Sequence, residues 1–195
     1  MLNLLTFVLR HPLNANGKIA ALGRVLRWQV ASRLMAGPIA FPFVEDTFLF
    51  ASLGMTGATG NWYCGLHEHE EMGFMLHFLR SDDAFLDVGA NVGSYSILAA
   101  GAVGARVVSV EPIPMTFRRL ERNVLLNGLS ERIRMNCVGL SSENSELLFT
   151  ANLDTVNHVM TEDEVSGGGG NPCAGRSDGR LAGRLRGSGT HQDRC

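Results

Sequence analysis

The chain has one lysine, Lys18, against 16 arginines. It has no run of about 20 apolar residues, so nothing in it reads as a membrane-spanning helix. Its four cysteines, Cys64, Cys137, Cys173 and Cys195, form no C-x-x-C pair and no regular framework. Disulfides are therefore not expected, and a reducing, cytoplasmic location is the default. The apolar start, Met1 to Leu9, lacks a basic leader and a small-residue cleavage site, which argues against a signal peptide. Acid is absent from residues 1–44, where Arg10, Lys18, Arg24, Arg27 and Arg33 are the only charges. The net charge is nevertheless −2, which gives no reason to expect nucleic acid as a partner.

What is present fits an ordinary globular chain. Of 195 residues, 45% are hydrophobic and 18% charged, enough for one domain with a small N-terminal appendage. Gly17 to Met35 reads as an amphipathic helix, with Ile19, Leu22, Val25, Leu26, Val30 and Leu34 at helical spacing. Docking on the domain is the plain reading of that apolar side. Because all its charges are basic, a peripheral membrane contact through residues 17–35 is the sharper one. Residues 37–66, rich in Gly, Pro, Phe and Thr, predict short strands and turns. Glu68 to Leu79 predicts a helix with Met72, Met75, Leu76 and Leu79 on one side, broken by Ser81-Asp82-Asp83.

From Ala84 the pattern becomes strand, loop, helix. Phe85 to Val88 is a short apolar strand, Ser94 to Ala102 a helix and Arg106 to Val110 a β-branched strand. Thr116 to Asn127 is a second helix, Ile133 to Leu140 a third strand, and Leu147 to Thr150 a candidate fourth. Alternation of this kind predicts an α/β fold with an open, mostly parallel sheet. The chain thus divides into an appendage over 1–80, an α/β core over 81–166, and a Gly- and Arg-rich tail over 167–195 without periodicity, expected to be disordered.

The chemistry concentrates at Asp87-x-Gly89-Ala90-Asn91-x-Gly93, with Glu111-Pro112 ending the next strand. In parallel α/β sheets a ligand sits beyond the carboxyl ends of the strands, where helix N-termini point at it. Glycines at 89 and 93 allow a sharp turn and close backbone approach. Glu111, 22 residues beyond Gly89, returns a carboxylate to the loop, where it can accept hydrogen bonds from both ribose hydroxyls of an adenosine. A pyrophosphate site calls for G-x-G-x-x-G, and this loop lacks the middle glycine. That disfavours a nicotinamide-dependent oxidoreductase and suits S-adenosyl-L-methionine, whose amino-acid end Asp87 and Asn91 could help hold. No catalytic base is evident; His158 is a candidate on the acceptor side, with a structural histidine as the alternative. In His67-Glu68-His69-Glu70-Glu71, His67 and Glu71 are four apart, but no further ligands complete a set, so no metal is expected.

Phe85-Leu-Asp-Val-Gly-Ala-Asn-Val-Gly-Ser-Tyr-Ser, Val110-Glu-Pro-Ile-Pro and Leu120-x-x-Asn123-x-x-x-Asn127 resemble the FkbM-type methyltransferases. Gly60 to Glu68 and Asp154 to His158 also look familial, so the resemblance covers roughly 10–168. It implies a class I methyltransferase (Rossmann-like) fold, S-adenosyl-L-methionine as cofactor, and O-methylation of a hydroxyl on a small molecule, sugar or glycan. Members of that family continue with a strand close to L-I-K-I-D-V-E-G, which is missing here. One back-translation of Gly189 to Cys195, GGC ACT CAT CAA GAT CGA TGT, reads one base out of frame as Ala-Leu-Ile-Lys-Ile-Asp-Val. The expectation is a frameshift near Gly167 to Gly170, leaving the sheet incomplete at the C-terminus and Phe85 to Val88 an exposed edge. A non-catalytic fragment or pseudoenzyme is then the alternative function.

Overall fold

In a computed structural model, residues 2–140, 145–149 and 171–176 are described; for Leu2 and the last two segments this holds for the backbone alone. The chain forms two compact units, Met1–Phe78 and Leu79–Cys195.

The first unit opens with α1 (Leu2–Arg10), a 3-10 turn (Pro12–Asn14) and α2 (Lys18–Leu34). Strands β1 (Ile39–Pro42) and β2 (Phe48–Ala51) pair as an antiparallel hairpin. Helices α3 (Thr56–Cys64) and α4 (His69–Phe78) follow. A polar knot joins these pieces. The Arg24 guanidinium donates to the Tyr63 carbonyl at 2.8 and 3.0 Å and to Asn14 Oδ1 at 2.7 Å. Tyr63 lies in the last turn of α3, whose carbonyls lack helical partners, so a cation there satisfies an orphan acceptor. Asn14 passes the link on to the Val8 carbonyl at 2.9 Å.

Two expectations change here. The span 37–66 was expected as strands and turns, yet Thr56–Cys64 is helical. Ala58, Thr59, Gly60 and Asn61 are all buried there, and burial overrides the poor helix propensity of two glycines. Gly60 is needed, since a Cβ on it would stand 2.3 Å from His67 Nδ1. The helical span expected to dock one apolar side buries another: Ala21, Val25 and Trp28 are inside, while Ile19, Leu22, Leu26, Val30 and Leu34 are exposed. Met72 and Met75 of α4 are buried as the pattern predicted.

The second unit is the α/β part. Strands β3 (Ala84–Val88), β4 (Arg106–Val110) and β5 (Ile133–Asn136) form a parallel sheet in that order. Between β3 and β4 runs α5 (Ser94–Ile97), continued by a π-helical turn (Leu98–Val103) where a plain helix was expected. Helix α6 (Pro114–Leu126) joins β4 to β5. Pro114 pre-sets its first turn, and Gly128, at φ +64°, ends it in the left-handed conformation. Val107, Val108 and Val110 are buried, as a central parallel strand covered on both faces requires. This is the open parallel α/β architecture the alternation predicted, and it is Rossmann-like as the resemblance implied.

Strand β3 pairs only with β4 among the described residues, and Leu86 and Val88 are 44% and 56% exposed. The expected third strand is split: Gly139–Leu140 (β6) leaves the parallel sheet and joins a second one with β7 (Ser145–Phe149) and β8 (Asn171–Arg176), in the order β6-β8-β7. Strand β8 falls within the segment expected to be disordered; its antiparallel register with β7, Glu146 to Ala174 and Leu148 to Pro172, supplies hydrogen-bond partners that its composition does not announce. Cys137 is disulfide-bonded, against the expectation from cysteine spacing, since pairing depends on the fold rather than on spacing. Cys64 is buried and free. No described helix is long and apolar enough to cross a membrane.

Candidate functional site

The site is built where β3 and β4 end. Register places Asp87 beside Ser109 and Val88 beside Val110, so the turn after β3 starts level with the end of β4. The amides of Gly89 and Ala90 both donate to the Val110 carbonyl, at 2.8 and 3.0 Å. Three residues of the turn are left-handed: Gly89 at φ +74°, Asn91 at +51° and Gly93 at +90°. Glycine meets no penalty in that region, and asparagine is among the side chains that enter it most readily.

The two glycines serve different ends. A Cβ on Gly93 would lie 2.5 Å from Leu120 Cδ1, so α6 packs directly against the turn at that point. A Cβ on Gly89 would meet nothing within 4 Å, so the chain face there is open. Gly93 is needed for the protein's own packing, whereas nothing in the protein packs against the position a Cβ on Gly89 would take.

Glu111 turns toward the loop. Its Oε2 accepts the Asn91 amide at 2.9 Å and its Oε1 accepts the Ile113 amide at 2.9 Å. It thereby holds the left-handed Asn91 and the entrance to α6 together. Pro112, half-buried between these contacts, continues the bend out of β4. Burial pushes the Glu111 carboxyl upward from its ordinary value; the two amides oppose that shift and the nearby Asp87 adds to it.

Asp87 lies beneath the turn. It accepts from the Ser96 hydroxyl at 2.5 Å, and that hydroxyl shares a 2.7 Å bond with Ser109. Desolvation raises its carboxyl as well, with the Ser96 bonds opposing. The chain Asp87–Ser96–Ser109 ties β3, α5 and β4 below the loop, so Asp87 is engaged inward rather than presented at the loop surface. Ala90 is buried, and its carbonyl accepts the Gly93 amide at 2.8 Å.

One brace escaped the sequence reading. Asn123, fully buried on α6, donates from Nδ2 to the Val92 carbonyl at 2.7 Å. Its spacing from Leu120 was visible as part of a motif; its role as a loop anchor was not, because nothing in the sequence says which carbonyl it meets. His158 and the Asp154 to His158 segment lie outside the described residues. His67 and Glu71 do not share a helical face, because α4 begins at His69. Among the described residues no group of three or more His, Cys, Asp or Glu side chains is placed to hold a metal. His67 instead stacks edge-on with Phe7, ring centroids 5.3 Å apart, and its carbonyl lies 3.3 Å from His11 Nε2.

The structure defines a Rossmann-like α/β protein with a glycine-bent turn clamped by an acid from the neighbouring strand. The chain is 41% identical over 73 residues to the AMB antimetabolite synthetase AmbE of Pseudomonas aeruginosa, a stretch covering 37% of this chain and 3% of AmbE. Its structure is similar to PH0793 of Pyrococcus horikoshii, at TM-score 0.44 and 19% identity, covering 52% of this chain and 36% of that one. It is similar also to P. horikoshii TYW2 in complex with MeSAdo, at TM-score 0.42 and 21% identity, covering 54% and 38%. The METTL16 MTase domain is matched at TM-score 0.32 and 23% identity over 37% and 30%. The chain thus spans 3% of the curated relative it matches and little more than a third of the first two solved structures. No family model matches it.

Proposed function

We propose that this chain carries the cofactor-binding part of an S-adenosyl-L-methionine-dependent methyltransferase of the FkbM kind, with a hydroxyl of a sugar, glycan or other small molecule as acceptor. The reading rests on one observation above others: the Glu111 carboxylate faces the left-handed turn and holds the Asn91 amide at 2.9 Å, beside a Gly89 whose missing Cβ leaves open space. A carboxylate offers about four lone-pair sites, and two are taken by amides; Glu111 is 4% exposed, so ribose hydroxyls would reach the acceptors left over once the open side at Gly89 gives way to the ligand. Gly89, Ala90, Asn91 and Gly93 would supply the backbone wall, Pro112 the rim beyond Glu111, and Asp87 the support beneath. The cofactor, when bound, supplies an electrophilic methyl group. The chain's part is to fix the nucleoside so that an acceptor oxygen can be aligned with that methyl.

A second reading, binding without turnover, is favoured by the exposed apolar edge of β3 at Leu86 and Val88. Titration calorimetry of the full chain with S-adenosyl-L-methionine and with NAD tests the cofactor. Heat with the first and none with the second is expected. Glu111→Gln should weaken binding about tenfold or more, since a hydrogen bond to a charged group contributes roughly 1.5–3 kcal/mol. Preference for NAD, or unchanged affinity in a folded Glu111→Gln protein, would overturn the reading. A methyl-transfer assay on the same preparation separates the two functional alternatives.

A further inference from the structure

Helix α2 is apolar on two opposite sides. One side is Ala21, Val25 and Trp28, all buried within the first unit. The other is Ile19, Leu22, Leu26, Val30 and Leu34, spaced three, four, four and four residues apart and hence one continuous stripe. At about 100° per residue the two stripes fall roughly opposite each other. The second stripe is exposed along its length, from 40% at Leu22 and 49% at Val30 to 88% at Ile19. Exposed apolar residues are common singly, but a contiguous row along a whole helix marks a surface built to be covered.

The charges around the stripe say by what. Arg33 and Lys18 project on one flank and Arg27 on the other, all exposed, and residues 1–44 contain no acid. The Arg33 guanidinium is turned back onto Gln29, bonded to its carbonyl and its Oε1 at 2.6 Å each, which keeps the cation beside the stripe. Arg24, by contrast, faces inward in the polar knot and is not part of this face. An apolar strip bordered by cations on both flanks is complementary to an anionic lipid surface, where the aliphatic side chains enter the acyl boundary and the guanidinium groups meet phosphates. A second copy fits less well, because self-association on this face would set the arginines and Lys18 of one helix against those of the other with no acid between them.

We propose that α2 is a membrane-surface helix, seating the first unit on an anionic bilayer through Ile19, Leu22, Leu26, Val30 and Leu34 with Arg27 and Arg33 on the headgroups. The proposal is independent of the cofactor assignment, since no residue of α2 belongs to that site.

Sedimentation of the full chain with vesicles tests it. The protein should pellet with phosphatidylcholine–phosphatidylglycerol vesicles and only weakly with phosphatidylcholine alone. Leu26→Glu should lower the partition coefficient at least about tenfold, the worth of one withdrawn leucine side chain. The pair Arg27→Gln and Arg33→Gln should lower it about fivefold per charge, with both effects fading as added salt shortens the Debye length. Because Leu26, Arg27 and Arg33 are exposed, these variants should keep parental circular dichroism; Leu26→Ser is the milder alternative if the glutamate does not. Failure to pellet with either vesicle would overturn the proposal. So would parental binding by the Leu26 variants, pelleting with phosphatidylcholine alone that ignores the arginines, or a dimer in sedimentation equilibrium that Leu26→Glu dissolves.

Discussion

Replacing Gly93 by alanine tests how the turn is held. The new methyl faces two penalties. A non-glycine residue held at φ +90° is strained by about 1–2 kcal/mol. Its Cβ would also stand 2.5 Å from Leu120 Cδ1, and Leu120 is fully buried, so the leucine cannot swing away freely. Overpacking of this kind costs about 1–3 kcal/mol. The sum, about 2–5 kcal/mol, is a large part of a domain's stability. Gly89→Ala has the first penalty without the second, since nothing lies within 4 Å of its Cβ, and should cost only about 1–2 kcal/mol. Urea unfolding followed by far-ultraviolet circular dichroism, with hydrogen exchange of the β3 and β4 amides, reads the difference. Trp28 and Trp62 both lie in Met1–Phe78, so tryptophan fluorescence is an internal control that neither substitution should move. A double-mutant cycle with Leu120→Ala isolates the clash and should return a favourable coupling of about 1–3 kcal/mol. The reasoning is refuted if Gly89→Ala destabilises as much as Gly93→Ala, or if the cycle shows no coupling.

Other expectations concern the buried polar groups. Ser96→Ala removes the hydroxyl that donates to Asp87 and should destabilise the second unit by about 1.5–3 kcal/mol in urea titration. Asn123→Ala leaves the Val92 carbonyl without its donor; a loss of about 1–3 kcal/mol and faster amide exchange across residues 89–93 are expected. The two units should respond oppositely to acid. Asp87 and Glu111 are raised in the folded state, so their contribution is fully present below their ordinary values of 3.8 and 4.5 and is lost as pH rises through the higher folded values. Asp87→Asn should flatten that trend in hydrogen exchange of β3. His11 is lowered from 6.5, chiefly by burial and further by His69 and His67, so its contribution is present above 6.5 and is lost as pH falls through the folded value. Tryptophan-monitored unfolding should therefore weaken on acidification, and less so in His11→Gln.

The α/β segment was readable because each of its signals is local. β-branched runs at 106–110, the glycines at 89 and 93 and a carboxylate closing the next strand all report on neighbours a few residues away or one crossover apart. What misled were features settled at a distance. Thr56–Cys64 is helical because its small residues are buried, with the His67 ring seated on Gly60; intrinsic propensity pointed the other way. Gly139–Leu140 reads as the tail of a longer strand but pairs with Asn171–Arg176, a partner that only long-range pairing brings there. The Cys137 disulfide was invisible for the same reason.

Helix α2 shows where the division falls. Sequence alone determined that residues 18–34 are helical, that aliphatic side chains recur along it and that every charge on it is basic, because these follow from residue type and a fixed turn angle. Tertiary structure decided which stripe is spent on the core. Trp28 and Val25 fill the interior and Ile19, Leu26 and Leu34 are left outside, since a helix can bury one face against one neighbour and a periodic sequence does not say which. The same holds at the turn after β3: glycine placement set its shape, while only packing showed that Gly93 serves Leu120 and that Gly89 is left open.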